Sequence, residues 1–497
     1  MRPEGLAPVA LAFLAGALHT AAFAPLGAWP LGPLALAVLI MLWRGAAPRR
    51  AALLGFVFGL GWFGSGVSWV YVSMHDYGGM PVALAGVATL AFAAYLALWP
   101  ALAGALQAAA RSGNAWFGAL VTGASWALSE WLRGWVFTGF PWLATGYAHT
   151  DGPLAGFAPV VGVHGLNAIA ALVAALLAQA AARRSAPGMR VTRLAAVAVV
   201  ALGGALLARL EWTMTNDKAV NVALVQGNVP QDLKFEEGRF EATLALYERL
   251  ATSASAELVV LPETALPRFL QAMPVESLAR LDHVLRTRGA DLVTGVPFAE
   301  SRERYFNSAV SFGASPAQRY DKAHLVPFGE FIPAGFRWFV DAMRIPLGDF
   351  SRGSDTPSPL ALGSQQVAIN ICYEDLFGEE IIRQLPRATL LANLSNIAWF
   401  GDSLAPHQHL QISRMRSLET GRPMLRATNT GMTAVIDARG RVTDLLPPFT
   451  EGVLTARVRG YRGATPYVRA GNWPAIGCAV LVLLAAFVVR ARGRAPG

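Results

Sequence analysis

Eight long apolar runs decide most of what this chain can become. Seven lie before residue 211, at roughly 6–24, 28–43, 51–71, 81–109, 115–132, 155–181 and 191–209, and the eighth covers about 473–489. A helix needs about 20 mostly apolar residues to cross a bilayer, because the hydrocarbon core is about 30 Å thick and each helical residue rises about 1.5 Å. Only 15% of the residues are charged, against roughly 25% in an average soluble domain. The third run holds Gly59, Gly61, Gly64 and Gly66, and glycine lets membrane helices pack closely. The sequence therefore reads as a polytopic α-helical membrane domain of eight helices.

The formal charge of +9 is unevenly spread. Residues 1–211 hold 11 Arg, no Lys and five acids; residues 212–472 hold 27 basic and 27 acidic residues. If eight helices alternate, twelve arginines fall on one side: Arg2, Arg44, Arg49, Arg50, Arg111, Arg183, Arg184, Arg190, Arg193, Arg490, Arg492 and Arg494. The opposite loops 24–28, 72–80 and 133–154 hold only Arg133. Arginine excess marks the cytoplasmic side. Both termini are then inside, and the polar stretch 210–472 is outside. The basic surplus is thus an orientation signal; nucleic-acid binding would need a basic patch on a folded domain. Ala22-Phe23-Ala24 mimics a signal-peptide cleavage site, but Pro25 and the helices behind it argue against cleavage. The Trp and Tyr of the outer loops read mainly as an interfacial belt, and Glu130 with Arg133 as a structural pair.

The chain divides into 1–211, a seven-helix membrane domain; 212–472, a polar domain; and 473–497, the eighth helix and tail. Within the polar part, β-branched apolar runs alternate with amphipathic stretches. The strands expected are 219–226, 257–262, 291–296, 366–371, 388–394, 424–429 and 432–437, and the helices 237–254, 275–288, 377–385 and 406–420. Such alternation indicates layered sheets with helices outside. No metal or nucleotide cofactor is indicated. His407 and His409 are two residues apart, off a common helix face, and there is no HExxH, paired CxxC, Walker loop or strand-borne GxGxxG.

Cys372 is the informative residue. It follows the run Val367–Ile371 and precedes Tyr373-Glu374-Asp375, at a strand end close to a helix start, where backbone N–H groups favour a thiolate; spacing alone fits a buried inert cysteine equally well. It is also the only cysteine outside the apolar runs, since Cys478 lies in the eighth. A nucleophilic cysteine needs a base. Glu263 follows the buried run Val259-Val260-Leu261-Pro262, where burial is expected to raise its pKa, and Lys322 lies within Tyr320-Asp321-Lys322. Taken singly, each reads as an ordinary charge at a strand end.

Taken in order, Leu261-Pro262-Glu263-Thr264, Tyr320-Asp321-Lys322 and Ile371-Cys372-Tyr373-Glu374 resemble the Glu-Lys-Cys triad of the nitrilase (carbon–nitrogen hydrolase) superfamily. The segments from Lys322 to Glu330, Val225 to Gln231 and Thr428 to Gly431 are similar to its membrane branch, the bacterial apolipoprotein N-acyltransferase family. That family also has eight membrane helices, with the nitrilase-like domain between the seventh and eighth. The resemblance covers nearly the whole chain. It implies an α-β-β-α sandwich, no cofactor, a monomer, and a bacterial inner membrane with the catalytic domain in the periplasm. It makes Cys372 the nucleophile, Glu263 the general base and Lys322 the oxyanion and orientation group. Glu330, Tyr373 and Glu374 match supporting positions of the family's site. Phe235 follows Lys234 where the family commonly has Trp, so an aromatic wall is kept without the indole N–H.

The resemblance implies a phospholipid acyl donor, a thioester on Cys372, and a diacylated apolipoprotein amine as acceptor. Both substrates are lipids, so the site must meet the bilayer. Residues 335–350, with Trp338 and Phe339, and Ile397–Phe400, with Trp399, are rich in large apolar side chains; with Phe235 they are the expected lipid contacts, the first stretch as an arm dipping into the outer leaflet. Two alternatives stand beside this reading. One is a membrane-tethered amidase with water as acceptor. The other is a transporter or receptor, disfavoured because its pathway needs paired intramembrane charges, which the spans almost lack.

Overall fold

The computed structural model describes residues 5–182, 186–232, 234, 237–333, 335, 337 and 349–492. The chain forms two compact units, one of residues up to Leu210 together with those from Arg469 onward, the other Glu211–Val468.

Each of the eight apolar runs contains a helix in the first unit: Leu6–Thr20, Leu31–Trp43, Pro48–Gly66, Val82–Ala109, Ala115–Arg133, Ala158–Ala180, Pro187–Leu207 and Trp473–Arg492. Among the described residues, four helices are by themselves long and apolar enough to cross a membrane, and a fifth span is available if Pro48–Gly66 is joined to Val70–Tyr77 across a 59° bend. The first two helices are short. At 1.5 Å per residue each is only about 20 Å long, against a hydrocarbon thickness of about 30 Å. Glycine sets the packing: a Cβ on Gly59 would lie 2.6 Å from Ala97 Cα, so the third and fourth helices approach closely only because it is absent.

The loop 140–145 is tied to the fifth helix. Arg133 donates to the Phe140 and Trp142 carbonyls at 2.6 Å each, and Glu130 accepts from the Thr145 N–H and hydroxyl. Glu130 and Arg133 are themselves 3.7 Å apart, so the pair anchors a loop. Trp69 and Trp142 are buried against each other, with ring centroids 4.8 Å apart. For these two rings, packing replaces the interfacial belt expected from sequence.

The second unit holds two six-stranded sheets, ordered β12-β1-β2-β3-β4-β5 and β11-β10-β9-β8-β7-β6. The strands are β1 Thr213–Gln226, β2 Leu258–Val260, β3 Asp291–Ala299, β4 Tyr305–Gly313, β5 Arg319–Asp321, β6 Leu360–Leu362, β7 Gln365–Ile371, β8 Leu390–Ser395, β9 Met424–Thr428, β10 Ala434–Ile436, β11 Val442–Leu445 and β12 Gly452–Gly463. Side chains alternate across a strand. Val220, Val222 and Leu224 of β1 therefore join Ile369, Ile371, Leu394 and Leu425 in one core between the sheets. Ala223 and Val225 turn the other way, onto Tyr247 and Leu250 of helix Phe240–Ser253 and Leu281 and Leu285 of helix Val275–Thr287. Ala368, Leu391 and Met424 likewise face Leu410 of helix Ala405–Thr420. The result is four layers, helix–sheet–sheet–helix.

Every strand expected from sequence is present, while β4, β5, β6, β11 and β12 were not expected. The expected helix 377–385 is instead two short turns, Gly378–Ile381 and Ile382–Gln384. Phe377 before them is non-helical (φ −108°, ψ 78°) and Pro386 lies just beyond, so no longer helix can form.

Candidate active site

Three strand ends bring the chemistry together. Glu263 follows β2, Lys322 follows β5, and Cys372 follows β7 as the first residue of the 3₁₀ turn Cys372–Leu376. Glu263 and Lys322, 59 residues apart in sequence, are 3.3 Å apart at Oε1 and Nζ. Glycine makes room for this: a Cβ on Gly295 of β3 would lie 2.5 Å from Glu263 Cα.

Lys322 is 1% exposed and sits between two carboxylates, with Glu330 Oε1 at 2.8 Å. Asn307 of β4 donates to both of the same oxygens, at 2.8 Å to Glu263 and 2.7 Å to Glu330. The second oxygen of Glu263 accepts the Asn396 N–H at 2.9 Å, and that of Glu330 accepts the Val326 N–H at 2.8 Å. Lys234 is also buried, with Nζ 3.3 Å from the Glu263 backbone carbonyl. Asn307 and Lys234 belong to this cluster, yet sequence reading singled out neither for it.

Electrostatics separate the groups. Burial pushes the Glu263 carboxyl up, but Lys322, the Asn307 amide, the Asn396 N–H and Lys234 together hold it below the usual carboxylate range. Burial pulls Lys322 down, but Glu263 and Glu330 more than reverse this and hold it well above the ordinary lysine value. Burial and the Glu263 charge push the Cys372 thiol well up, against the pull of Lys322. The resting site therefore holds a protonated thiol and an ionised Glu263, the arrangement that general-base activation needs.

Cys372 carries a backbone strain, with φ +52°, a region non-glycine residues rarely occupy. Glu374 helps to hold the turn. It accepts the Ile371 N–H at 2.7 Å on one oxygen, the Ala323 N–H at 2.7 Å and the His324 N–H at 3.1 Å on the other, and the Tyr320 hydroxyl. Tyr373 is buried, its ring edge-on to Phe377, which stacks on His324. Trp399 is on the turn Ile397–Phe400 and is 39% exposed. Phe235, Trp338 and Phe339 lie outside the described residues, as does most of the expected arm. Among the described residues no three His, Cys, Asp or Glu side chains are grouped to hold a metal ion.

Comparison with known proteins places these residues in a family. Residues 15–176 match the apolipoprotein N-acyltransferase N-terminal domain, and residues 221–467 match the carbon–nitrogen hydrolase domain. An apolipoprotein N-acyltransferase of Ralstonia nicotianae is 54% identical, covering 98% of this chain and 94% of that one. One from Nitrosomonas europaea is 48% identical over 97% of each, and one from Methylococcus capsulatus is 46% identical over 95% of this chain and 94% of its own. Identity of this extent, running through both the membrane helices and the hydrolase-like sandwich, shows that the chain belongs to the apolipoprotein N-acyltransferase family.

Proposed function

We propose that this enzyme moves an acyl chain from a phospholipid to the N-terminal amine of the diacylglyceryl-cysteine of an apolipoprotein, through a thioester on Cys372. The observation that carries the reading is the pairing of an ionised Glu263 with Lys322 at the strand ends that also bear the protonated Cys372.

Cys372 Sγ attacks the ester carbonyl carbon while its proton passes to Glu263. Lys322 and a backbone N–H stabilise the oxyanion; one such donor is typically worth about 10²–10³ in rate. The carbon–oxygen bond breaks, and the lysophospholipid leaves as an alcohol, taking the proton from Glu263. The neutral amine of the acceptor then attacks the thioester carbonyl, gives a proton to Glu263, and the carbon–sulfur bond breaks. The thiolate recovers that proton. Two half-reactions sharing one covalent intermediate give ping-pong kinetics. A dry site limits hydrolysis of the thioester.

All eight apolar helices span the membrane in this reading. Their arginines put both termini in the cytoplasm and the sandwich in the periplasm of a bacterial inner membrane. The enzyme acts as a monomer without a cofactor, and Trp399, Phe235, Trp338 and Phe339 contact lipid substrate.

The test is intact-mass spectrometry of the full chain in detergent after incubation with phospholipid. An acyl adduct on Cys372 that is discharged by a diacylated lipopeptide is the expected result. Discharge by water at the same rate would favour an amidase, and a wild-type enzyme that turns over with no adduct on Cys372 would overturn the mechanism.

A further inference from the structure

Three polar residues interrupt strands that are otherwise apolar. Asn370 of β7, Asn393 of β8 and Arg426 of β9 are register partners across adjacent parallel strands. Their neighbours Ile369, Ile371, Ala392, Leu394, Leu425 and Ala427 face the core between the sheets. Alternation turns the three polar residues to the opposite face, under helix Ala405–Thr420. There they meet His409 and Ser413, one helical turn apart, and Asp375 from the turn that Cys372 opens. All six side chains are buried, none more than 1% exposed.

The hydrogen bonds close on one another and end at the nucleophile's backbone. Asp375 Oδ1 lies 2.8 Å from His409 Nε2, and its Oδ2 accepts the Ser413 hydroxyl at 2.5 Å. Arg426 Nη1 donates to Asn393 Oδ1 at 2.8 Å, and Nη2 lies 2.9 Å from His409 Nδ1. A guanidinium can only donate. His409 Nδ1 must therefore be the acceptor, and the ring proton is on Nε2. That N–H is directed at Asp375 and at the Cys372 carbonyl oxygen, 3.2 Å away. Asn393 Nδ2 donates to the same carbonyl at 3.2 Å. Asp375 and Arg426 balance in charge, so the imidazole serves as a neutral, oriented donor.

A backbone held at positive φ persists only where its surroundings over-determine it. We propose that His409, its tautomer set by Arg426 and Asp375, is a positioning residue that holds the Cys372 carbonyl and thereby the reactive conformation of the nucleophile. The Cys372–Tyr373 peptide is planar. Drawing its carbonyl toward this cluster aims the Tyr373 N–H the opposite way, where it can serve the oxyanion. The inference rests on the reading of Cys372 as the nucleophile.

The test compares His409→Gln with His409→Met, two side chains of similar size, one keeping an N–H near the Nε2 position and one without it. Two rates are read on the full chain in detergent: acyl-adduct formation on Cys372 from phospholipid, and alkylation of Cys372 by iodoacetamide. Thermal unfolding is recorded alongside. His409→Met should acylate about 10²-fold more slowly, with KM for phospholipid unchanged and alkylation also slowed, while His409→Gln stays within about tenfold of wild type. Equal rates in the two variants, or loss of folding in both, would assign His409 a structural role and overturn the proposal. A wild-type enzyme that never acquires an adduct defeats instead the reading of Cys372, so the two failures are distinguishable.

Discussion

The Tyr320 hydroxyl lies 2.9 Å from each carboxylate oxygen of Glu374 and donates between them. Tyr320 belongs to one sheet, and Glu374 to the turn that leaves the other. With the N–H groups of Ile371, Ala323 and His324 on the same carboxylate, this contact clamps the Lys322 and Cys372 loops together. Burial pushes the Glu374 carboxyl up to about 7, against Lys322 and these donors. Each buried donor left without an acceptor costs about 1–3 kcal/mol. Glu374→Ala should therefore lose at least about 3 kcal/mol of stability on the same scale and most of its activity. Tyr320→Phe, which leaves the three N–H groups satisfied, should lose only about 1 kcal/mol. Thermal unfolding and adduct formation on the purified variants check both, and a Glu374→Ala protein as stable as wild type would show that the clamp is not needed.

Asn307 offers a second test, because a single amide holds two carboxylates. In Asn307→Asp a donor becomes a third acceptor beside Glu263 and Glu330. Carboxylates at this spacing cannot all ionise, so at least one keeps its proton to higher pH. The expected result is a loss of about 10²-fold or more at neutral pH, within the usual range for a missing general base. The rate should then climb as pH rises and ionised Glu263 is restored. The pH profile of adduct formation decides the matter, and a profile parallel to wild type would count against the shared-donor arrangement.

What the sequence disclosed follows from where each signal lies. Lys322 follows a polar stretch and could be read only from its neighbours Tyr320-Asp321, while Cys372 and Glu263 could be read because each closes a short apolar run, with Pro262 before Glu263. The buried strands β2, β3, β7 and β8 were visible for the same reason. Strand β12 was not: Arg457, Arg459 and Arg462 recur along it, and a half-exposed strand with that pattern reads as surface chain, although it pairs with β1 over nearly its whole length. Asn307 and His409 act through partners distant in sequence. The one available signal was the set of polar residues Asn370, Asn393 and Arg426 inside apolar strands, which becomes meaningful only once register aligns them.

Glu263 and Lys322 should fail differently. Glu263→Gln keeps the shape and removes the base, for a loss of about 10²–10⁴ in adduct formation. Lys322→Met removes the oxyanion donor and also the only cation bonded to both Glu263 and Glu330 among the described residues. Two buried carboxylates are then left sharing Asn307, so one must take up a proton. The loss should exceed the about 10²–10³ of a missing oxyanion donor, and it should come with lower thermal stability, which Glu263→Gln should largely retain. Equal stability in the two variants would indicate that Lys322 does not balance the pair.

Lys234 supplies a pH test with a definite sign. Its ammonium is buried, and burial pulls it from the ordinary 10.5 down to about 8, even though the Glu263 charge pulls the other way. The folded chain gives up this proton near pH 8 and the unfolded chain near 10.5. Between those values the unfolded state binds more protons, so this residue's contribution to stability rises with pH across the window. Below pH 8 both states hold the proton, and the buried charge costs on the order of 3 kcal/mol at about 1.4 kcal/mol per unit. Lys234→Met removes the charge while keeping most of the stem. Relative to wild type it should be no less stable at pH 7, and its advantage should shrink by about 3 kcal/mol between pH 8 and 10.5 as the wild-type amine becomes neutral. Thermal unfolding of the two full-length proteins in the same detergent, taken across that range, measures the difference directly. Curves that stay parallel would mean that Lys234 keeps its charge in the folded site, bonded to the Glu263 carbonyl and balanced by the Glu263 carboxylate.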